Sequence, residues 1–127
     1  MSERRPEDLT ILVVEDYDDM SLAMRLALER QGYHILEAAD GAQAVEVAAR
    51  ERPEVILMDL SLPVLDGLKA TERIRADPAS RDTIIVAVTA HQEQDYRARA
   101  LAAGCNAFVT KPVDFDWLKD LLDKLLA

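Results

Sequence analysis

Val55-Ile56-Leu57-Met58-Asp59 is a run of four apolar residues closed by a carboxylate. Following Pro53 and Glu54, it reads as a strand buried on both faces, as in a parallel sheet. An acid has no place inside such a strand, because burying an unpaired charge costs far more than burying an alkyl group. At the carboxyl end the same acid is well placed, since open α/β sheets hold ligands in the crevice beyond those ends. Asp59 is therefore a candidate working group, and the remaining chain reads as its scaffold.

The 127 residues suit one domain with one core. Half are hydrophobic and only 5% aromatic, so the core must be aliphatic. The net charge of −9 argues against nucleic-acid and anionic-membrane partners, which require a basic face. Cys105 is the single cysteine and reads as a small buried residue. No apolar run approaches the ~18 residues of a membrane span, and the amino terminus lacks a signal-type segment, so a cytoplasmic location is expected.

Along the chain, residues 1–8 read as a flexible leader and residues 9–127 as the domain. Leu9 to Val14 is a second buried strand, ending on Glu15 and Asp16. Asp18 and Asp19 offer caps for a helix from about Asp19 to Gln31, stopped by Gly32. Tyr33 to Ala38, interrupted by His34 and Glu37, suits a sheet edge. After Asp40-Gly41 comes a helix with Ala42, Val45 and Ala49 at helical spacing. Beyond Asp59, a loop leads into a helix carrying Leu65, Leu68 and Ile74. Thr83 to Val88 is a strand that ends on Thr89. A helix from about Gln92 to Ala103 and a strand from Cys105 to Val109 follow, delivering Thr110, Lys111 and Pro112. Asp114 caps the last helix, whose Leu118, Leu121, Leu122 and Leu125 share a face. Strict strand–helix alternation predicts an α/β fold, a five-stranded parallel sheet of order 2-1-3-4-5 with helices on both faces. Its switch point then falls between the strands ending on Glu15-Asp16 and Asp59.

Three carboxylates meeting there cannot all stay ionised unaided. Two like charges ~4 Å apart near a surface repel by about 4 kcal/mol. Lys111 supplies one cation. Mg²⁺ suits the role of a second, since it takes one or two carboxylates, waters and a phosphate oxygen. Thr89 adds a hydroxyl donor at the neighbouring strand end.

These segments resemble the receiver domain of two-component response regulators: Ile11-Leu12-Val13-Val14-Glu15-Asp16, Leu57-Met58-Asp59-Leu60-Ser61-Leu62-Pro63 with Asp66-Gly67, Val88-Thr89-Ala90, and Phe108-Val109-Thr110-Lys111-Pro112. The resemblance implies a flavodoxin-like fold with Asp59 as phosphoacceptor. It makes Glu15, Asp16, Asp59 and the backbone carbonyl of Ser61 the Mg²⁺ ligands, Glu15 standing where aspartate is commoner. Thr89 and Lys111 would contact the phosphoryl group, Thr89 and Phe108 would act as the switch, and Pro112 would follow a cis bond. The implied partners are a sensor histidine kinase or phosphotransfer protein, and a downstream protein target or a homodimer. The implied chemistry is self-catalysed phosphorylation and dephosphorylation, not action as an enzyme on another substrate.

The largely apolar first helix suggests kinase docking around Tyr17, Met20 and Ala23. Ser61 and His91, each two residues past a site residue, are expected to tune dephosphorylation. With no residues left for an output domain, a stand-alone receiver in a two-component system or phosphorelay is expected. Two alternatives remain at this point. One is a receiver-like interaction module that is never phosphorylated. The other is an aspartate-nucleophile phosphohydrolase, disfavoured because the residue two past Asp59 is Ser61 and not a second acid.

Overall fold

The computed structural model describes residues 5–60, 62, 65–90 and 94–127. A 3-10 turn, Pro6–Asp8, precedes β1, Thr10–Val14. Then come α1, Asp18–Arg30; β2, His34–Ala38; α2, Gly41–Glu51; and β3, Val55–Asp59. The chain continues through α3, Gly67–Ala76; β4, Ile84–Thr89; α4, Gln94–Ala103; β5, Ala107–Thr110; and α5, Phe115–Leu126. The strands form one parallel sheet of order β2-β1-β3-β4-β5, as alternation predicts. No helix among the described residues is long and apolar enough to cross a membrane.

Strand alternation divides the core into two layers. Leu12, Val14, Ile56, Met58, Ile85 and Ala87 face one side, where Ala44 and Ala48 of α2, Ala70 and Ile74 of α3, and Ala100 of α4 cover them. Ile11, Val13, Val55, Leu57, Val86, Val88 and Val109 face the other, under Met24 and Leu28 of α1 and Leu118 and Leu122 of α5. β3 is buried along its whole length, as its uninterrupted apolar run requires. β2 is the partly exposed edge, as its polar residues predict.

Local details depart from the sequence reading where side-chain chemistry had two outlets. Asp18 and Asp19 do not cap α1. Tyr17 is the N-cap residue, without a side-chain bond, and the two acids sit in the first turn, where they still face the helix's positive end. The buried stripe of α2 is Gly41, Ala44 and Ala48, not Ala42, Val45 and Ala49. Leu65 is buried but precedes α3, which Asp66 caps through the Lys69 amide. β5 begins at Ala107, two residues after Cys105.

The end of the sheet away from Asp59 is closed by Arg75. Its guanidinium donates to the carbonyls of Gly104 (2.9 Å), Arg81 (2.6 Å) and Thr83 (2.5 Å), and to Asn106 Oδ1 (2.7 Å). Asn106 Oδ1 also accepts from the Ile85 amide. Gly104 ends α4 at φ +117°, a conformation that favours glycine, and a side chain there would strike Arg75.

At the Asp59 end, Gly67 lets the first turn of α3 lie directly on the backbone of Asp59 and Leu60. A Cβ on Gly67 would overlap the Asp59 carbonyl oxygen. Gly67→Ala is therefore expected to destabilise the fold by ~1–3 kcal/mol, the usual range for overpacking. A urea midpoint equal to that of the wild type would show that the loop yields freely.

Candidate functional site

Parity explains how the charged groups converge. The sheet ladder continues past β1 through Glu15 N to Ala38 O (3.1 Å), and past β5 through Lys111 N to Thr89 O (2.8 Å). Alternation therefore carries Glu15 to the same face as Ile11 and Val13, Asp59 to that of Val55 and Leu57, and Lys111 to that of Val109. All three emerge above the α1/α5 layer.

Lys111 Nζ donates to Glu15 Oε2 at 2.9 Å and sits 3.5 Å from Asp59 Oδ2. The side chains are 20%, 4% and 8% exposed respectively, so this ion triad is largely removed from water. The second oxygen of Glu15 accepts the Tyr17 amide at 3.3 Å. Burial pushes the Glu15 carboxyl up, and the Asp59 charge adds to this, while the Lys111 hydrogen bond opposes it. For Lys111, burial pulls downward but is outweighed by the hydrogen bond to Glu15 and the Asp59 charge, so its ammonium is held above the ordinary value.

The acids also fit a divalent cation. Oxygen atoms of Glu15, Asp16 and Asp59 lie within 4.8 Å of one another. Ligands on octahedral Mg²⁺, ~2.1 Å from the metal, stand roughly 3–4.2 Å apart. Asp16 is exposed while the other two are buried, so the cluster opens to solvent on one side.

Thr89 is 1% exposed, at the end of β4 beside Thr110. By alternation it shares the α2–α4 face with Ala87, which pairs with Phe108. Phe108 is half-buried against that layer and lines a surface cavity of about 560 Å³ with Arg97, Pro112 and Trp117. The Lys111–Pro112 bond is cis, as expected. On α1, Tyr17 is 63% exposed and Ala23 exposed, whereas Met20 is half-buried against the α1/α5 layer. Ser61 and His91 lie outside the described residues.

Two features escaped sequence reasoning. One is the preference of Lys111 for Glu15 over Asp59, which depends on side-chain reach. The other is the role of Gly67, whose signal was present in the Asp66-Gly67 pair but names no contact.

Residues 11–123 match the family model of the response regulator receiver domain. Protein PilH of Pseudomonas aeruginosa is 30% identical over 92% of this chain and 97% of its own length. Lengths vary among relatives, and the chain spans only 23% of a longer Caulobacter vibrioides response regulator at 34% identity. The receiver domain of the sensor histidine kinase PA1611 from P. aeruginosa, solved with magnesium in its active site cleft, superposes with a TM-score of 0.87. It is 40% identical, over 93% of this chain and 97% of that one. The receiver domain of Saccharomyces cerevisiae Ssk1, solved with the histidine phosphotransfer protein Ypd1, gives 0.84 at 30% identity over 93% and 88%.

The raised Glu15 carboxyl makes a signed prediction. An acid whose folded value exceeds its unfolded one binds its proton more tightly when folded. Its contribution to stability therefore falls as pH rises from about the ordinary 4.5 through the raised value. In the presence of a chelator, Glu15→Gln should flatten that decline and melt higher than wild type at neutral pH. Parallel stability–pH curves for the two proteins would contradict it.

Proposed function

The chain belongs to the response regulator receiver domain family, and from that premise we propose that Asp59 accepts a phosphoryl group from a histidine kinase or phosphotransfer protein. The observation that carries this reading is the triad. A carboxylate at the end of β3, 8% exposed, lies 3.5 Å from an ammonium and beside two further acids. An Asp59 oxygen forms the bond to phosphorus as the bond from phosphorus to the donor nitrogen breaks, so the protein's task is positioning and charge neutralisation. Glu15, Asp16 and Asp59, with the Ser61 carbonyl, are the proposed holders of Mg²⁺. When bound, that ion supplies positive charge to the phosphoryl oxygens. Lys111 and the Thr89 hydroxyl contact those oxygens from the protein side. Ser61 and His91 are proposed to set how fast water removes the group.

Residues 9–127 are proposed to form the receiver domain, preceded by a leader over residues 1–8. The domain catalyses its own phosphorylation and dephosphorylation in the cytoplasm. Tyr17, Met20 and Ala23 at the start of α1 form the docking surface for the donor, a reading supported by the exposure of Tyr17 and Ala23 and by the Tyr17 amide's bond to Glu15. The Ypd1 complex of the similar Ssk1 domain supports the same class of partner.

Incubation with acetyl phosphate and Mg²⁺, followed by intact-mass measurement, tests the assignment. Asp59→Asn should show no phosphoryl increment, because a carboxamide is not a comparable nucleophile. Stoichiometric labelling of that variant would sink it. In the same assay Met20→Glu should label normally, yet accept phosphate from a cognate kinase several-fold more slowly.

The signal is proposed to leave through Phe108. Thr89 and Phe108 point into one layer, so a Thr89 drawn toward a phosphoryl oxygen vacates space that Phe108 fills. The altered face, around Tyr96, Phe108 and Trp117, then binds a downstream protein or a second copy. Coupling of ~1–3 kcal/mol between site and face is typical. Phe108→Ala should lose most of the gain in partner affinity or dimerisation produced by beryllofluoride, measured by analytical ultracentrifugation. An undiminished gain would remove Phe108 from the switch.

A further inference from the structure

We propose that the outer face of α1 is a self-association seam, on which a second copy of this chain packs its own α1, antiparallel, about a two-fold axis. Burial in α1 falls on Ser21, Met24 and Leu28. Leu22 and Leu26 stand two residues to either side of Met24, so each lies ~160° round the helix from it. The outer face of such a helix is ordinarily polar, yet these leucines are 50% and 48% exposed. One turn apart, they form a single apolar ridge along the helix. Ala23 beside them is also exposed and adds little bulk, so a second helix can approach closely.

The charges around this ridge fit a second α1 in one orientation. The helix begins on Asp18 and Asp19 and ends on Arg30. Asp19 and Arg30 are eleven residues apart, close to three full turns, and so share one flank of the ridge. Both are exposed, and among the described residues neither enters an ion pair. When Leu22 of one copy faces Leu26 of the other, the two-fold axis passes over Met24. Asp19 precedes Met24 by five residues and Arg30 follows it by six. Each Asp19 then comes level with Arg30 of the other copy to within ~1.5 Å along the helix. The pair forms twice, once at each end of the seam. A parallel alignment would instead set Asp18 and Asp19 against their own counterparts. On the opposite flank Asp18 nears Glu29 of the other copy. That Glu29 is already matched by Arg25 at 3.4 Å, which also reaches Glu37 at 2.9 Å. Charge therefore selects a second copy of this helix and its direction, while the leucines supply the apolar contact. A single pair of 13-residue helices buries less than the ~1,000 Å² of a stable interface, so the association is weak, with a Kd on the order of 0.1 mM.

The test is sedimentation equilibrium of the full chain from ~10 µM to ~1 mM, without Mg²⁺ or phosphodonor, so that it is independent of the phosphoacceptor reading. Wild type is expected to follow a monomer–dimer curve, and Leu26→Glu to remain monomeric throughout. Asp19→Arg and Arg30→Glu should each weaken self-association by about tenfold, because both copies of the pair become repulsive. An equimolar mixture of these two variants should recover wild-type association to within about threefold, since every 19–30 contact then joins opposite charges. That recovery cannot come from misfolding of either variant. A wild type that stays monomeric at the highest concentration overturns the seam. So does association that survives Leu26→Glu, or a mixture no tighter than the variants alone. Tighter association of Asp19→Arg, the effect of a smaller net charge alone, overturns it as well. Leu22 and Leu26 amide resonances that shift only on adding a phosphotransfer protein, and not with concentration, would give this face to the donor and refute the second copy.

Discussion

One ammonium between two buried carboxylates governs this molecule. Without Lys111, Glu15 and Asp59 would face each other with little solvent to separate their charges, a condition that forces protonation or structural retreat. The lysine permits a concentrated negative site at the edge of a well-packed core. It does so with a charged side chain, which an apolar plug could not replace. The site is consequently electrostatically loaded and mechanically simple.

The sheet makes that arrangement possible through the period of a strand. Because side chains alternate, three strands ending in phase bring Glu15, Asp59 and Lys111 to one face, while Thr89 is sent to the other. The same rule separates the charged triad from the layer that holds Phe108. Gly67 completes the geometry by letting α3 start against the backbone of Asp59. The charged triad and Phe108 thus lie on two sides of a single sheet, on either side of the short ladder at Thr89 and Thr110.

Much of this was legible in the residues themselves. The uninterrupted Val55–Met58 run specified a buried parallel strand, and the polar Tyr33–Ala38 segment specified an edge. The acids at strand ends then located the crevice. Cap assignments were less legible, since Asp18 and Asp19 satisfy the helix equally well as first-turn charges. In α2, the small apolar residues Ala42, Ala44, Val45, Val47, Ala48 and Ala49 left the buried stripe ambiguous by one residue. Which acid Lys111 prefers was not readable at all, because it turns on a few tenths of an ångström of side-chain reach.

The far end of the sheet obeys a different chemistry. Among the described residues, Arg75 binds three backbone carbonyls and a side-chain amide, not a carboxylate. Burial lowers its basicity, but a guanidinium stays charged at any pH a cell encounters, and amide oxygens do not titrate there. The domain therefore has one pole bonded through titratable carboxylates and an ammonium, and another bonded through a guanidinium and amide oxygens. A lysine at position 75 could not reproduce this, since a compact ammonium has too few donors in the wrong plane. Acid or base should reach the structure at the carboxyl ends of β1, β3 and β5, while the α3–β4–β5 corner holds its shape as a fixed footing.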